Sequence, residues 1–78
     1  MKEIYRLRLI KLGAKIKEIR QAQNLTQSTL SDLAEIDIRT IQRLEKGDMN
    51  LSLNIFIAVI KSLNVDATEI INEISNES

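Results

Sequence analysis

Apolar residues recur along the chain at helical rather than strand spacing, and the polar intervals between them divide it into five segments. Ile4, Leu7, Leu12, Ile16 and Ile19 fall three to five positions apart, with Lys11, Lys15, Glu18 and Arg20 between them, so the first segment reads as an amphipathic helix. Gly13 weakens that run by about 1 kcal/mol relative to Ala. Residues 1–10 are therefore expected to form an arm or a loosely continuous helical extension. Asn24 tolerates the left-handed conformation that ends a helix, and Thr26 then caps a second helix running about Thr26 to Ala34, with Leu30 and Ala34 inward. After a break at Glu35, Ile36 and Asp37, Asp37 caps a third helix whose Ile41 and Leu44 face inward and which closes at Lys46-Gly47. Ser52 opens a fourth, with Leu53, Phe56, Ile57, Ile60 and Leu63 as its apolar stripe and Asn64 as its stop. Asp66 and Glu69 are spaced as an N-cap and its returning carboxylate, starting a fifth helix with Ile70, Ile71 and Ile74. The polar tail 75–78 is expected to fray. The pattern predicts an all-α, five-helix fold: a single domain over 1–78 with its helical core at 12–74 and no repeat or linker.

Composition narrows the chemistry. A chain of 78 residues buries only roughly 60% of the surface its unfolded form exposes, which leaves little room for a catalytic cavity. With no Cys and no His there is no thiol nucleophile, imidazole base, disulfide or soft metal ligand, so no metal or other cofactor is expected. Eleven acidic residues without His or a glycine-rich phosphate loop do not make a hydrolytic centre, and the chain is not read as an enzyme. Its longest apolar stretch, Ile55 to Ile60, is far short of the ~20 residues of a membrane span, and no charged-then-apolar leader opens the chain. A soluble, cytoplasmic protein is expected, with no membrane partner and no small-molecule ligand evident.

The balanced net charge conceals a division. Residues 1–47 carry ten Lys/Arg against six Asp/Glu, a net +4, while residues 48–78 carry one lysine against five acids, a net −4. Because fields are screened beyond about 8–10 Å, a polyanion would be met by the first half alone. Scatter over a solvated surface is the plainer explanation of the same numbers.

Two short helices joined by three residues have the form of a helix-turn-helix. Counting from Gln27, Leu30, Ala34, Ile36, Ile41 and Leu44 occupy the positions that such a pair buries, and Ser31 is small where the helices approach. With Ile19-Arg20 before the turn, Leu-Thr-Gln at 25–27, Thr-Ile-Gln-Arg-Leu-Glu-Lys-Gly at 40–47 and Leu-Asn-Val at 63–65, the chain resembles the Cro and phage-repressor (XRE-like) helix-turn-helix family over about Leu12 to Ile71. Single-domain members of this length are phage regulators and controller proteins of restriction-modification systems. In one departure, Glu35 stands where the family usually has Gly: a positive φ there would cost roughly 1 kcal/mol, unless the turn differs locally. Asn24 and Asn64 likewise replace common glycines, and Asn is the side chain best able to do so.

The resemblance implies that the third helix, about 37–46, lies in the major groove of double-stranded DNA. Ile38, Arg39, Gln42 and Arg43 are then the candidate base readers: Arg pairs bidentately with guanine, Gln with adenine, and Ile38 suits a thymine methyl. Gln27, Thr40, Lys46 and Asn50 are the candidate phosphate contacts, Asn50 together with Met49 through backbone N–H groups. The family aligns Arg20 and Glu45 as an ion pair tying the first helix to the end of the third, which would keep the carboxylate from repelling phosphate. A plain solvated helix face is the competing explanation for the polar residues.

One recognition helix reads few base pairs, so the function expected is that of a sequence-specific transcriptional regulator acting as a homodimer on a two-half-site operator. The alternative is a helical interaction module, such as an antitoxin or adaptor, whose acidic half binds a protein partner. If Leu53, Phe56, Ile60 and Leu63 fill the core, Ile55 and Val59 point elsewhere and Ile74 extends past it. Unless an arm carrying Ile4 and Leu7 folds back over that surplus, a dimer through Ile55, Val59, Ile70 and Ile74 is expected.

Overall fold

Helix boundaries in the computed structural model, which describes residues 2–76, are set by local chemistry at each end. Five helices follow in order: α1 (Glu3–Ala22), α2 (Gln27–Ala34), α3 (Ile38–Lys46), α4 (Leu53–Leu63) and α5 (Ala67–Ile74). No strand occurs among the described residues. Four helices open on a side-chain oxygen that accepts an otherwise unpaired backbone N–H: Thr26 from Thr29, Asp37 from Arg39, Ser52 from Ile55 and Asp66 from Thr68. Helices α1 to α4 share one ending. A left-handed residue, Asn24, Glu35, Gly47 or Asn64, is followed by an N–H that reaches back five residues, from Leu25 to Arg20, Ile36 to Ser31, Asp48 to Arg43 and Val65 to Ile60. Glu35 thus has the positive φ (55°) that its place in the turn requires.

Residues 3–10 do not form a separate arm: α1 runs without interruption through Gly13, and the chain needs glycine there for packing rather than for flexibility. A Cβ at Gly13 would stand 2.7 Å from the Glu45 carbonyl oxygen and closer still to that of Leu44. The reciprocal contact is made by Gly47, where a Cβ would lie 2.6 Å from the Ile10 Cα. The chain's two glycines therefore let the end of α3 rest directly on the backbone of α1.

Among the described residues, nine form the core: Leu12, Ile16, Leu30, Ile41, Leu44, Val59, Ile60, Leu63 and Ile70. This phase corrects the expected face of α4. Val59 is 1% exposed and central, whereas Leu53, expected inside, is 71% exposed. Phe56, Val59, Ile60 and Leu63 follow the i, i+3, i+4, i+7 spacing of one helical face, which turns Ile57 outward; Leu53, the first residue of α4, lies at the edge of that face and stays in solvent. Two of the expected dimer-interface residues, Val59 and Ile70, are consequently core residues with no surface to offer, while Ile55 and Ile74 are half-buried against that core. Ile4 and Leu7 do not fold back over α4; they lie on α1 and are themselves exposed. Side chains fasten the remaining joints: Gln23 Nε2 donates to the Leu63 carbonyl at 2.7 Å, and Lys15 bridges α1 to Glu73 of α5 at 3.1 Å. The hydrogen bond to Glu73 raises the affinity of the Lys15 ammonium for its proton. Ser75 and Asn76 follow α5; the rest of the expected fraying tail, 77–78, lies outside the described residues. No helix among the described residues is long and apolar enough to cross a membrane.

Candidate nucleic-acid interface

α2 and α3 meet across the turn 35–37, and the turn is fixed by two contacts from one residue: Ser31 Oγ donates to the Ile36 carbonyl, and the Ser31 carbonyl accepts the Ile36 N–H at 3.0 Å. Its small size was legible in the sequence; its role as the turn's fastening was not. Leu30, Ile41 and Leu44 are buried, so α3 has a single rotational setting. On the other side Arg39, Gln42, Arg43 and Lys46 fall within one arc of about 100°, are all exposed and form its outward face, with Ile38 at the leading end, 37% exposed. Thr40 sits at the margin, half-buried.

Arg20 and Glu45 pair as the family resemblance implied, with 7% and 8% of their surfaces exposed. Arg20 Nε donates to Glu45 Oε2 at 2.7 Å and Nη2 to Oε1 at 3.0 Å, a bidentate geometry, while Nη1 donates to the Leu25 carbonyl at 2.7 Å. The hydrogen bond to Glu45 raises the Arg20 pKa further above its already high ordinary value. Glu45 is the single carboxylate within α3, and this pairing turns it inward and neutralises it.

Two of the expected DNA contacts have partners within the chain. Gln27 Nε2 donates to Glu45 Oε1 at 3.0 Å, so this side chain belongs to the ion-pair network. One amide hydrogen remains for another acceptor. Arg43 Nη2 donates to the Asp48 carbonyl at 3.0 Å, laying the side chain along the loop after α3 and leaving four further N–H groups. Two concavities gather the rest. One is lined by Lys17, Gln27, Gln42, Glu45 and Lys46. The other includes Arg6, Arg43, Lys46, Met49 and Asn50. Arg39 borders neither. Arg6 and Lys17 enter these concavities from α1, a placement no local pattern reveals, since nothing local to α1 tells which of its faces meets α3.

No group of His, Cys, Asp or Glu among the described residues is arranged to hold a metal ion. The surface offers donors and positive charge, and the chemistry it can perform is hydrogen bonding and ion pairing with an anionic, edge-bearing partner.

Comparison with known proteins agrees with this geometry. A helix-turn-helix family model matches residues 16–70. Among solved structures, the restriction-modification controller protein C.AhdI from Aeromonas hydrophila superposes with a TM-score of 0.76 at 31% identity, covering 80% of this chain and 94% of its own. A point variant of the controller protein C.Esp1396I, bound to its highest-affinity operator site, superposes at 0.77 with 25% identity over 87% of this chain and 90% of its own. The clp gene regulator ClgR from Corynebacterium glutamicum, at 20% identity, shares the fold with a TM-score of 0.82 over 88% of each chain. No curated protein sequence gives a match. With the family model spanning both helices of the motif and the core around them, the chain belongs to the helix-turn-helix family of the Cro and phage-repressor (XRE) type, a family of DNA-binding transcription regulators.

Proposed function

We propose that the protein is a sequence-specific double-stranded DNA-binding regulator of the controller type, which places α3 in the major groove and acts in the cytoplasm as a homodimer on an operator of two half-sites. The observation that carries this reading is the outward face of α3: Arg39, Gln42, Arg43 and Lys46 stand together on it, and the helix's one carboxylate is removed from it by pairing with Arg20. Ile38, Arg39, Gln42 and Arg43 read base edges; Gln27, Thr40, Lys46 and the backbone at Asn50 hold phosphates. The 31% identity to C.AhdI supports the controller type, and the operator-bound state of the C.Esp1396I variant supports DNA as the ligand. The role is one of binding, not catalysis.

The dimer is assigned to the acidic half, through α5 and the neighbouring part of α4. Exposed Ile71 and half-buried Ile55 and Ile74 supply its apolar surface, in place of Val59 and Ile70. Such a contact keeps the −4 half away from phosphate and leaves both copies of α3 free to enter grooves about 34 Å apart.

A salt titration of binding to random-sequence duplex DNA tests the reading. The logarithm of the binding constant is expected to fall steeply and linearly with the logarithm of salt concentration, as phosphate contacts release counterions. Little binding at any salt would contradict it and favour a helical protein-interaction module.

A further inference from the structure

Helix α1 has no part in the DNA contacts assigned above, yet its cationic residues are placed with respect to α3 in a regular way. Arg6, Ile10, Gly13 and Lys17 are separated by four, three and four positions and so share one face of the helix. The two middle positions are the seat of α3: Gly47 rests on the Ile10 backbone, and the Leu44 and Glu45 carbonyls rest on Gly13. The two outer positions emerge on either side of that crossing. Lys17 lines the concavity with Gln27 and Lys46, and Arg6 lines the one with Arg43 and Lys46. Lys46, the last residue of α3, borders both. Arg6, Lys17 and Lys46 are all exposed, and the glycine-mediated contact fixes them relative to the reading helix.

The local charge favours an anion in each concavity. In the first, Lys17 and Lys46 face one carboxylate, Glu45, which Arg20 already neutralises. In the second, Arg6, Arg43 and Lys46 outnumber Glu3 and Asp48. From Arg6 to Lys17 the helix rises about 16 Å, close to half of the ~34 Å turn of duplex DNA and long enough to pass several phosphates of one strand.

We infer that α1 is a second phosphate-binding element: Arg6 and Lys17 seat DNA backbone phosphates on either side of Lys46, forming a cationic track beside the recognition helix. The inference rests on the DNA-binding reading. These residues position the protein on the duplex and carry no base preference.

The test is the salt dependence of binding to random-sequence duplex DNA for the full chain, its Arg6→Ala and Lys17→Ala variants, the double variant, and Lys61→Ala on the acidic half as a control. Each of the first two substitutions is expected to lower the slope by about 1 and the double variant by about 2, with Lys61→Ala unchanged. Thermal melts of all variants are expected to match the wild type, because the substituted side chains are exposed. A steep wild-type slope that survives in the double variant would overturn the track while leaving DNA binding intact. A slope lost at only one of the two positions, or lost equally in Lys61→Ala, would also overturn it. Absence of salt-dependent binding by the wild type would overturn the DNA reading and the track with it.

Discussion

Arg20 and Glu45 make one contact that ties α1 to α3 and, in the proposed function, also clears the recognition face of negative charge. Taking either charge out of water costs several kcal/mol, a loss offset here by two short hydrogen bonds between them, a third to the Leu25 carbonyl and a fourth from Gln27. Arg20→Ala leaves a buried carboxylate without its cation and is expected to destabilise the fold by about 3–5 kcal/mol in denaturant melts. Glu45→Ala should be similarly costly, and a double-mutant cycle should show strong non-additivity; zero coupling energy would mean the two act independently. Gly13 sets two effects against each other. Helix propensity favours Ala by about 1 kcal/mol, but the Cβ would collide with the carbonyls of Leu44 and Glu45, and such overpacking costs about 1–3 kcal/mol. Gly13→Ala is therefore predicted to lower the melting temperature, because the colliding atoms are backbone and cannot rotate away. Glu35, at φ 55°, is the opposite case: Glu35→Gly relieves left-handed strain and is predicted to stabilise by about 1 kcal/mol. An unchanged denaturation midpoint would show that the strain is negligible.

At the scale of elements, what could be read in advance depended on how local its cause was. Thr26, Asp37, Ser52 and Asp66 cap helices within two or three residues of themselves, so four starts were evident from residue type alone. The outward face of α3 was equally legible, since Ile41 and Leu44 fix the rotation of a nine-residue helix. Helix α4 was not: apolar residues occupy most of its circumference, periodicity cannot choose a phase, and contact with the rest of the core placed Val59 inside and Leu53 outside. The extension of α1 through Gly13 and the tie from Gln27 to Glu45 depend on partners far along the chain, which no local pattern reveals. Two substitutions separate the roles proposed for α2 and α3. Arg43→Ala is expected to weaken specific binding by about 1–3 kcal/mol and to relax preference at one position per half-site. Equal losses on specific and random DNA would reassign Arg43 to phosphate contact. Gln27→Ala should instead weaken binding uniformly across sequences, and a preference lost at a single base pair would assign it to base reading.

For the whole molecule, the proposed function accounts for the uneven charge, with the basic half facing the duplex and the acidic half, which exposes Ile71, joining two copies. Sedimentation equilibrium at micromolar concentration should show a dimer, and Ile71→Asp, a change at an exposed position, should shift it towards monomer without loss of helical content. A variant that dimerises as the wild type does would move the interface elsewhere, with the exposed Ile4, Tyr5 and Leu7 of α1 the next surface to examine. The central claim is that this surface reads DNA sequence, and selection of bound duplexes from a random-sequence pool tests it most directly. The account predicts enrichment of two related half-sites with centres about one helical turn apart, and their loss when Arg39 and Arg43 are both replaced by Ala. Recovery of a pool no different from the input, from wild-type protein that is folded and binds duplex DNA, would contradict it.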